Sequence, residues 1–298
     1  MTQVFFAIMV LSGGWALNGF IAREEPRVWT NLLSAYIFGM TILIMWELIV
    51  VGLGVSPVIL PPPSMIYEAL SSDLSGLVST NEDGSLIIRD CGESLLCADF
   101  YQTFFKGVLR GYAMGCGAAF ITAIAIDRSD FLKRGLLPIG NFVAALPIIG
   151  MAPILVMWFG FDWQSKAAVV VIMIFFPVLV NTMQGLDTAE KMQKDLMHTY
   201  AASYWQSLFK LRLPAAAPFI FNGLKIASTL ALIGAIVAEF FGSPIVGMGF
   251  RISTGAGRLE LDLVWAEIVV AAIAGSAFYG IVALIERKAT FWHPSIRK

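Results

Sequence analysis

Residues 219–241 read FIFNGLKIASTLALIGAIVAEFF, and only Lys225 and Glu239 among them are charged. A helix that crosses a bilayer needs roughly 20 consecutive, mostly apolar residues. Within lipid every backbone N–H and C=O must be hydrogen-bonded inside the protein, which leaves helices and closed barrels as spanning structures. The alternation of apolar and polar residues that marks a barrel strand is absent here. This stretch therefore predicts a transmembrane α-helix.

The rest of the chain has the same apolar character. It contains 58% hydrophobic and 14% charged residues, with a mean hydropathy of +0.77, whereas soluble domains average about 25% charged residues. The net charge of -1 gives no sign of a nucleic-acid partner. The predicted fold is all-α, a polytopic transmembrane bundle of about seven spans. The segments are Val4–Ala22, Leu32–Leu53, Phe104–Ile126, Leu137–Gly160, Ala167–Gln184, Phe219–Phe241 and Val264–Ile285.

Basic residues set the predicted orientation, because loops that face the cytoplasm are rich in Lys and Arg. With the N-terminus outside, 13 of these residues fall in inside segments, and the outside loops hold Arg89, Lys166, Arg251 and Arg258. We therefore expect an outside N-terminus and a cytoplasmic C-terminus. The first span has no Lys or Arg before its apolar run, unlike a signal peptide, so we expect a retained anchor.

Two long polar segments interrupt the spans. The outer loop, residues 55–100, begins with three prolines after Leu60, and Ser64 is placed to cap a short helix that follows them. The inner segment, residues 186–214, is polar but prone to form a helix from Asp187 to about Lys210, which Pro214 should break before the next span. A polar helix of this length favours a protein partner, and a solvated loop without a partner is the alternative.

Charged residues within spans are costly in lipid and are generally functional. Glu47, Lys106, Arg110 and Glu239 lie at similar predicted depths, toward the outer ends of their spans. They predict either structural ion pairs or an entrance for an anion.

Three glycines, Gly107, Gly111 and Gly115, recur every four residues in the third span. This spacing places them on one helix face, where another helix can approach closely. A pore-lining or dimer seam is one interpretation, and ordinary packing within the chain is the other.

The cysteines and histidines predict neither a metal site nor an active site. Cys91, Cys97 and Cys116 lack the paired spacing of a zinc site, and His198 and His293 are far apart in sequence. Cys91 and Cys97 lie in the outer loop, where a disulfide can persist; a bridge and two free thiols are both compatible with their spacing. No nucleotide-binding Gly-x-x-x-x-Gly-Lys-Ser/Thr run and no hydrolase motif is present, so we expect no enzyme activity in this chain.

The inner segment carries a resemblance to a known family. Residues 195–206, DLMHTYAASYWQ, followed by LRLP at 211–214, resemble the Glu-Ala-Ala loop of permeases in binding-protein-dependent ATP-binding-cassette importers. Asp195 takes the Glu place, Ala201 the Gly place, Leu211 the aliphatic place, and Leu213-Pro214 close the motif. Departures are Asp for Glu, Leu-Met for Ala-Ala and Ala for Gly.

The flanking stretches resemble the nitrate, sulfonate, taurine and bicarbonate branch of that family. They are residues 60–63, 153–160, 202–206, 213–216, 220–225 and 237–240. The match covers roughly Leu32 to Lys288. Residues 1–30 then look like an extra N-terminal anchor, added to a six-span permease domain over residues 31–298.

The resemblance implies a function for each part. The inner segment would be the ATPase-coupling site, through Asp195, Ala201, Ala202, Ser203, Leu211, Leu213 and Pro214. ATP and Mg would be bound by a separate ATPase subunit, with no cofactor in this chain. A second permease copy or a paralogue would complete the translocation path. An extracytoplasmic binding protein would deliver a small anion or sulfonate-like solute across the bacterial plasma (inner) membrane. An ATP-independent secondary transporter or channel is the alternative.

Overall fold

The computed structural model describes residues 2–21, 28–80, 86–88, 94–144, 146–242 and 245–292. Within this part of the chain the structure is helical apart from one short two-stranded hairpin. The chain divides into two compact units, Met1–Ser94 with Ile252–Ile268 and Leu95–Arg251 with Val269–Lys298. The prediction of an all-α fold is confirmed.

The first unit is built on a pair of long helices. Its elements are α1 (Thr2–Ile21), α2 (Val28–Leu53), α3 (Pro63–Leu77), β1 (Val78–Thr80) and β2 (Leu86–Ile88). The two strands are antiparallel, with Val78 opposite Ile88. The helices α1 and α2 approach closely at Gly14, because a Cβ there would overlap with the side chain of Thr41. Thus the first predicted span forms a helix that packs against the second.

The second unit contains the remaining helices and two π-helical segments. They are α4 (Leu95–Phe100), π1 (Tyr101–Val108), α5 (Leu109–Asp127), α6 (Asp130–Ala144), α7 (Ile148–Phe159), α8 (Trp163–Asp187), α9 (Lys191–Thr199), α10 (Tyr204–Ser207), π2 (Leu208–Arg212) and α11 (Leu213–Phe241). Two more helices, α12 (Met248–Arg258) and α13 (Leu261–Ala289), have residues in both units.

The core of the second unit lies where α5, α8 and α11 meet. Val170, Ile174, Ala231 and Ala235 are fully buried there, and Phe278 of α13 packs in the same cluster. Small side chains on α11 let it lie close to α8. Helices in lipid associate mainly through such van der Waals packing, since burial from water supplies little driving force.

The three predicted glycines face α8. A Cβ on Gly111 would lie 2.6 Å from Cβ of Val170, and one on Gly115 would lie 2.7 Å from Cγ1 of Ile174. A Cβ on Gly107 would lie 3.4 Å from Cβ of Lys166. Only a residue without a side chain fits at Gly111 and Gly115 unless the helices separate. These glycines therefore pack within the chain.

Five of the predicted spans correspond to helices that are long and apolar enough to cross a membrane among the described residues. These helices cover Leu32–Leu53, Leu95–Asp127, Trp163–Asp187, Tyr204–Phe241 and Leu261–Ala289. The predicted count of about seven is not confirmed, because neither the 20-residue α1 nor the segment Leu137–Gly160 is among the five.

The prediction of one continuous helix over Leu137–Gly160 is wrong. Helix α6 ends at Ala144, Pro147 has extended backbone (φ -70, ψ 99), and α7 then runs for 12 residues. A 12-residue helix is about 18 Å long, well short of a bilayer core of about 30 Å. Proline has no N–H to donate and disfavours helical backbone in the residue before it, which explains the break.

The predicted shape of the inner segment also needs correction. The expected helix from Asp187 to Lys210 is interrupted at residues 188–190 and again at 200–203. The expected break at Pro214 does not occur, since α10, π2 and α11 form one uninterrupted helix. The N–H of Leu213 bonds to the carbonyl of Leu208 in the wider π pattern, and this widened segment directly before Pro214 accommodates a residue that has no N–H to donate.

We predict that Gly111→Ala destabilises the permease by about 1–3 kcal/mol, because the added methyl group would collide with Val170 and force α5 and α8 apart. Gly117→Ala is the matched control, since a Cβ at Gly117 on the same helix meets no atom within 4 Å. Thermal unfolding of both purified variants in detergent measures the effect. Equal melting temperatures for the two variants would contradict the packing described here.

Candidate functional site

The predicted coupling segment folds as a helix, a sharp turn and a second helix. Helix α9 begins with a capping box, in which the N–H of Glu190 donates to Oε1 of Gln193 at 3.1 Å. Helix α10 begins with another, in which the N–H of Ser203 donates to Oε1 of Gln206 at 2.8 Å. Both helix starts are thus fixed by their own side chains, which defines the turn of residues 200–203 between them.

Ala201 has a backbone conformation that alanine rarely adopts. Its φ is +52°, and among the described residues only Leu259 shares a positive φ without being glycine. The N–H of Ala202 bonds to the carbonyl of Met197 at 3.0 Å, and that of Ala201 bonds to the carbonyl of His198 at 2.9 Å. This is the Schellman pattern of a helix end that turns sharply. The resemblance places a glycine at this position, and the left-handed backbone supplies the physical reason.

Helix α9 projects apolar side chains away from the protein. Met192, Leu196 and Tyr200 are 75%, 55% and 76% exposed, and their spacing of four places them on one face of the helix and its final turn. Over residues 191–199 no side chain is buried. An exposed apolar face on an otherwise polar helix is a candidate interaction surface.

A cluster of polar contacts lies beneath the turn, and we call it the clamp: Asp127, the Leu186 carbonyl, Tyr204 and Arg212. The guanidinium of Arg212 donates to both carboxylate oxygens of Asp127 at 2.6 Å and to the carbonyl of Leu186 at 3.1 and 3.2 Å. The hydroxyl of Tyr204 donates to Asp127 at 2.7 Å. Sequence analysis missed the clamp, because Arg212 occupies the variable place of the motif and Asp127 lies 85 residues earlier.

The predicted intramembrane charges have contacts within the unit that contains them. In the first unit, Glu47 accepts from the N–H and hydroxyl of Ser64 at 3.0 and 2.8 Å. In the second, Lys106 lies over the ring of Tyr101 and Arg110 over that of Trp163, 5.7 and 4.7 Å from the centroids. Their role in a translocation path stays a prediction.

Glu239 forms a fully buried ion pair with a partner that could not be named from the sequence. Its partner is Lys166 at 3.1 Å, and both side chains have no exposed area. The carboxylate also accepts from the hydroxyl of Thr103 at 2.8 and 3.0 Å and from the N–H of Gly249 at 2.9 Å. Placing Lys166 in an outer loop was wrong, because it lies in the first turn of α8.

The cysteines occupy different environments. Cys116 is a half-buried free thiol in α5. Cys97 lies in α4, and Cys91 lies outside the described residues, so the bridge between them stays a prediction. No group of three metal-ligating side chains occurs in the described part of the chain.

We predict that Lys166→Met destabilises the permease by about 3–5 kcal/mol, because it leaves the carboxylate of Glu239 buried without its counter-charge. The double variant Lys166→Met/Glu239→Gln should recover much of this loss, since no buried charge remains. Thermal unfolding of the single and double variants measures both effects. A double variant no more stable than the single one would contradict the ion pair as the source of the loss.

Comparison with known proteins identifies the family. The model of the family "Binding-protein-dependent transport system inner membrane component" matches residues 112–291. A probable ABC transporter permease of Haemophilus influenzae is 35% identical over 182 residues, which is 61% of this chain and 72% of the relative. The family region, residues 112–291, includes the turn and all four clamp residues.

Two further relatives extend over nearly the whole chain. A formylaminopyrimidine transport permease of Halalkalibacterium halodurans is 27% identical over 260 residues, 87% of this chain and 96% of the relative. A putative aliphatic sulfonates transport permease of Bacillus subtilis is 27% identical over 280 residues, 93% and 94% of the two chains. The resemblance to the sulfonate, taurine and bicarbonate branch is confirmed.

These findings favour an importer permease over an ATP-independent secondary transporter or channel. They also indicate a multi-pass protein of the inner membrane that is not itself an enzyme. The chain belongs to the family of binding-protein-dependent transport system inner membrane components and is a permease subunit of an ATP-binding-cassette importer.

Proposed function

We propose that this permease moves a small anionic solute inward, driven by ATP that separate ATPase subunits bind with Mg and hydrolyse. A second copy of the chain, or a paralogue, completes the translocation path, and an extracytoplasmic binding protein delivers the solute. The observation that carries the proposal is the exposed apolar face of α9, which ends in the left-handed turn at Ala201. Such a face on an otherwise polar helix is suited to a groove on another protein.

The predicted coupling residues divide into two groups. Asp195 lies in the middle of α9, and Ala201, Ala202 and Ser203 lie in the turn that follows it, where the ATPase would make contact. Leu211, Leu213 and Pro214 lie where π2 passes into α11, and they would carry the motion into the membrane. The first group forms the contact with the ATPase, and the second transmits the resulting motion to the membrane helices.

The proposed topology follows from the coupling segment. If the ATPase binds in the cytoplasm, α9 and the turn lie on that side of the membrane. The excess of Lys and Arg in the inside segments agrees with this assignment. The N-terminus is then outside and the C-terminus cytoplasmic. Residues 1–30 form an extra anchor beside the permease domain over residues 31–298.

The solute class is proposed from the branch. The Bacillus subtilis relative is named for aliphatic sulfonates, whereas the Halalkalibacterium halodurans relative is named for formylaminopyrimidine. We choose a small anion or sulfonate because the branch resemblance lies there. Glu47, Lys106, Arg110 and Glu239 remain candidates for contact with the path in other conformations of the transport cycle.

We predict that Ala201→Glu abolishes co-purification of the ATPase with the permease while the permease still inserts in the membrane. The substitution adds bulk and charge to the turn and strains it, because φ is +52° there. Ala201→Gly is the matched control, since glycine adopts this backbone readily. Affinity purification followed by quantification of the ATPase measures binding. Undiminished ATPase in the Ala201→Glu complex would show that the contact lies elsewhere.

We predict that the binding protein captured with this permease carries a small anion. Native mass spectrometry of the binding protein purified from cells identifies the ligand by mass. A sulfonate or another small anion is the expected ligand. An uncharged pyrimidine or flavin in its place would contradict the proposed solute class and leave the transport mechanism unaffected.

A further inference from the structure

The chain before α9 and the chain after it meet at one small group of contacts, the clamp. We propose that the clamp is the joint that transmits a displacement of α9 to the membrane helices α5, α8 and α11. Asp127 and Arg212 are then positioning residues for transport. This inference rests on the proposed function, in which α9 and the turn contact the ATPase.

The geometry of the clamp gathers four elements at one point. Asp127 is the last residue of α5, Leu186 lies in the last turn of α8, Tyr204 begins α10, and Arg212 ends π2. Arg212 joins the elements on both sides of α9 in sequence, because it belongs to π2, which follows α9, and donates to the carbonyl of Leu186, which precedes α9. A displacement of α9 therefore reaches Arg212 from either end.

Alternative routes for force from α9 are weak. No side chain of residues 191–199 is buried, so α9 has no packed core against the membrane helices. An open cleft of about 500 Å³ lies beside it, lined by Lys194, Met197 and His198 together with clamp residues. Side-chain packing of α9 itself transmits little. The connection of α9 to the membrane helices runs through residues 188–190 before it and residues 200–203 after it, and these lead to Leu186 and Tyr204 of the clamp.

The clamp also braces a point where the helix would otherwise bend. The π2 segment departs from regular α geometry between α10 and α11, and such segments are common sites of bending. Arg212 closes this segment while its fork holds both oxygens of Asp127. A bidentate Arg–carboxylate pair fixes orientation as well as distance. Without it, motion of α9 would be absorbed at π2 and at residues 188–190.

The chain provides a matched control on the same helix. Lys225 of α11 pairs with Glu286 of α13 at 2.7 Å, and the two side chains are 18% and 13% exposed. The Arg212–Asp127 pair is similar, with 14% and 10% exposure. The Lys225–Glu286 pair joins two membrane helices, and neither residue belongs to the coupling segment. Removing either pair should cost similar stability, but only the clamp should affect transmission.

The test uses the complete complex of permease and ATPase in nanodiscs, with hydrogen–deuterium exchange compared between the nucleotide-free and the ATP–vanadate-trapped state. Exchange over residues 191–203 reports binding of the ATPase. Exchange over residues 121–127 and 181–187, at the clamp ends of α5 and α8, reports whether a displacement of α9 reaches the membrane helices. The variants are Arg212→Gln, Asp127→Asn, the double variant of these two, and Lys225→Gln/Glu286→Gln as control. The double variant leaves no unpaired charge and keeps the test valid if a single variant does not assemble.

In the wild-type complex we expect the ATPase to protect residues 191–203 and vanadate trapping to change exchange at both helix ends. In all three clamp variants the change at the helix ends should fall about fivefold or more, within the usual range of coupling between sites, with protection of 191–203 retained. The double variant should equal the single ones, because the two residues act as a unit. In the Lys225→Gln/Glu286→Gln control, the change in exchange on vanadate trapping should equal that of the wild type.

The outcomes distinguish the two proposals. No protection of residues 191–203 in the wild-type complex would overturn the proposed contact with the ATPase. Protection together with undiminished transmission in the clamp variants would overturn the role of the clamp and leave that contact intact. An equal loss of transmission in the Lys225→Gln/Glu286→Gln control would also overturn it, since the effect would then be one of general stability.

Discussion

The close approach of α5 to α8 is the constraint on which the second unit depends. Cβ of Val170 occupies the space that a side chain at position 111 would need, and Cγ1 of Ile174 does the same at position 115. Helices in lipid gain little from the removal of apolar surface from water, so contact between their surfaces has to supply the stability. Gly223 and Gly234 serve the same purpose between α11 and α8, where a Cβ would lie 2.9 Å from Cβ of Asn181 and 2.8 Å from the sulfur of Met173. Three helices packed this closely can move as one body.

Polar contacts fasten this bundle at both ends. The buried pair Lys166–Glu239 lies at the beginning of α8 and the end of α11, and Asp127–Arg212 lies at the end of α5 and the end of π2, directly before α11. The two pairs differ in exposure. The first has none and is completed by Thr103 and a backbone N–H, so it serves to hold the fold. The second is partly exposed and includes Arg212 of the coupling segment itself, so it is the pair to which we assign the transmission of motion.

Local patterns predicted much of this protein, and long-range contacts set the limit. The apolar runs located five membrane helices, since a span is a property of consecutive residues. The motif located the turn, and the place it reserves for glycine matches the left-handed backbone of Ala201. A continuous helix was predicted through Pro147 and a break at Pro214, and the structure shows the opposite at both places. A proline can end a helix or be accommodated in one, and its surroundings decide between the two. The partners in the two ion pairs could not be predicted, since Lys166 and Glu239, like Asp127 and Arg212, are far apart in sequence and are brought together only by the packing of the second unit.

The central claim is that this permease transports solute only when a separate ATPase acts on its coupling segment. Uptake into proteoliposomes tests it most directly, with the permease, its ATPase and the solute-loaded binding protein present, and with an ATPase variant that binds but does not hydrolyse ATP as control. The account predicts that solute accumulates with ATP and the active ATPase, and that accumulation stops when either is removed. Accumulation by the permease alone, driven by an ion gradient without the ATPase, would contradict it.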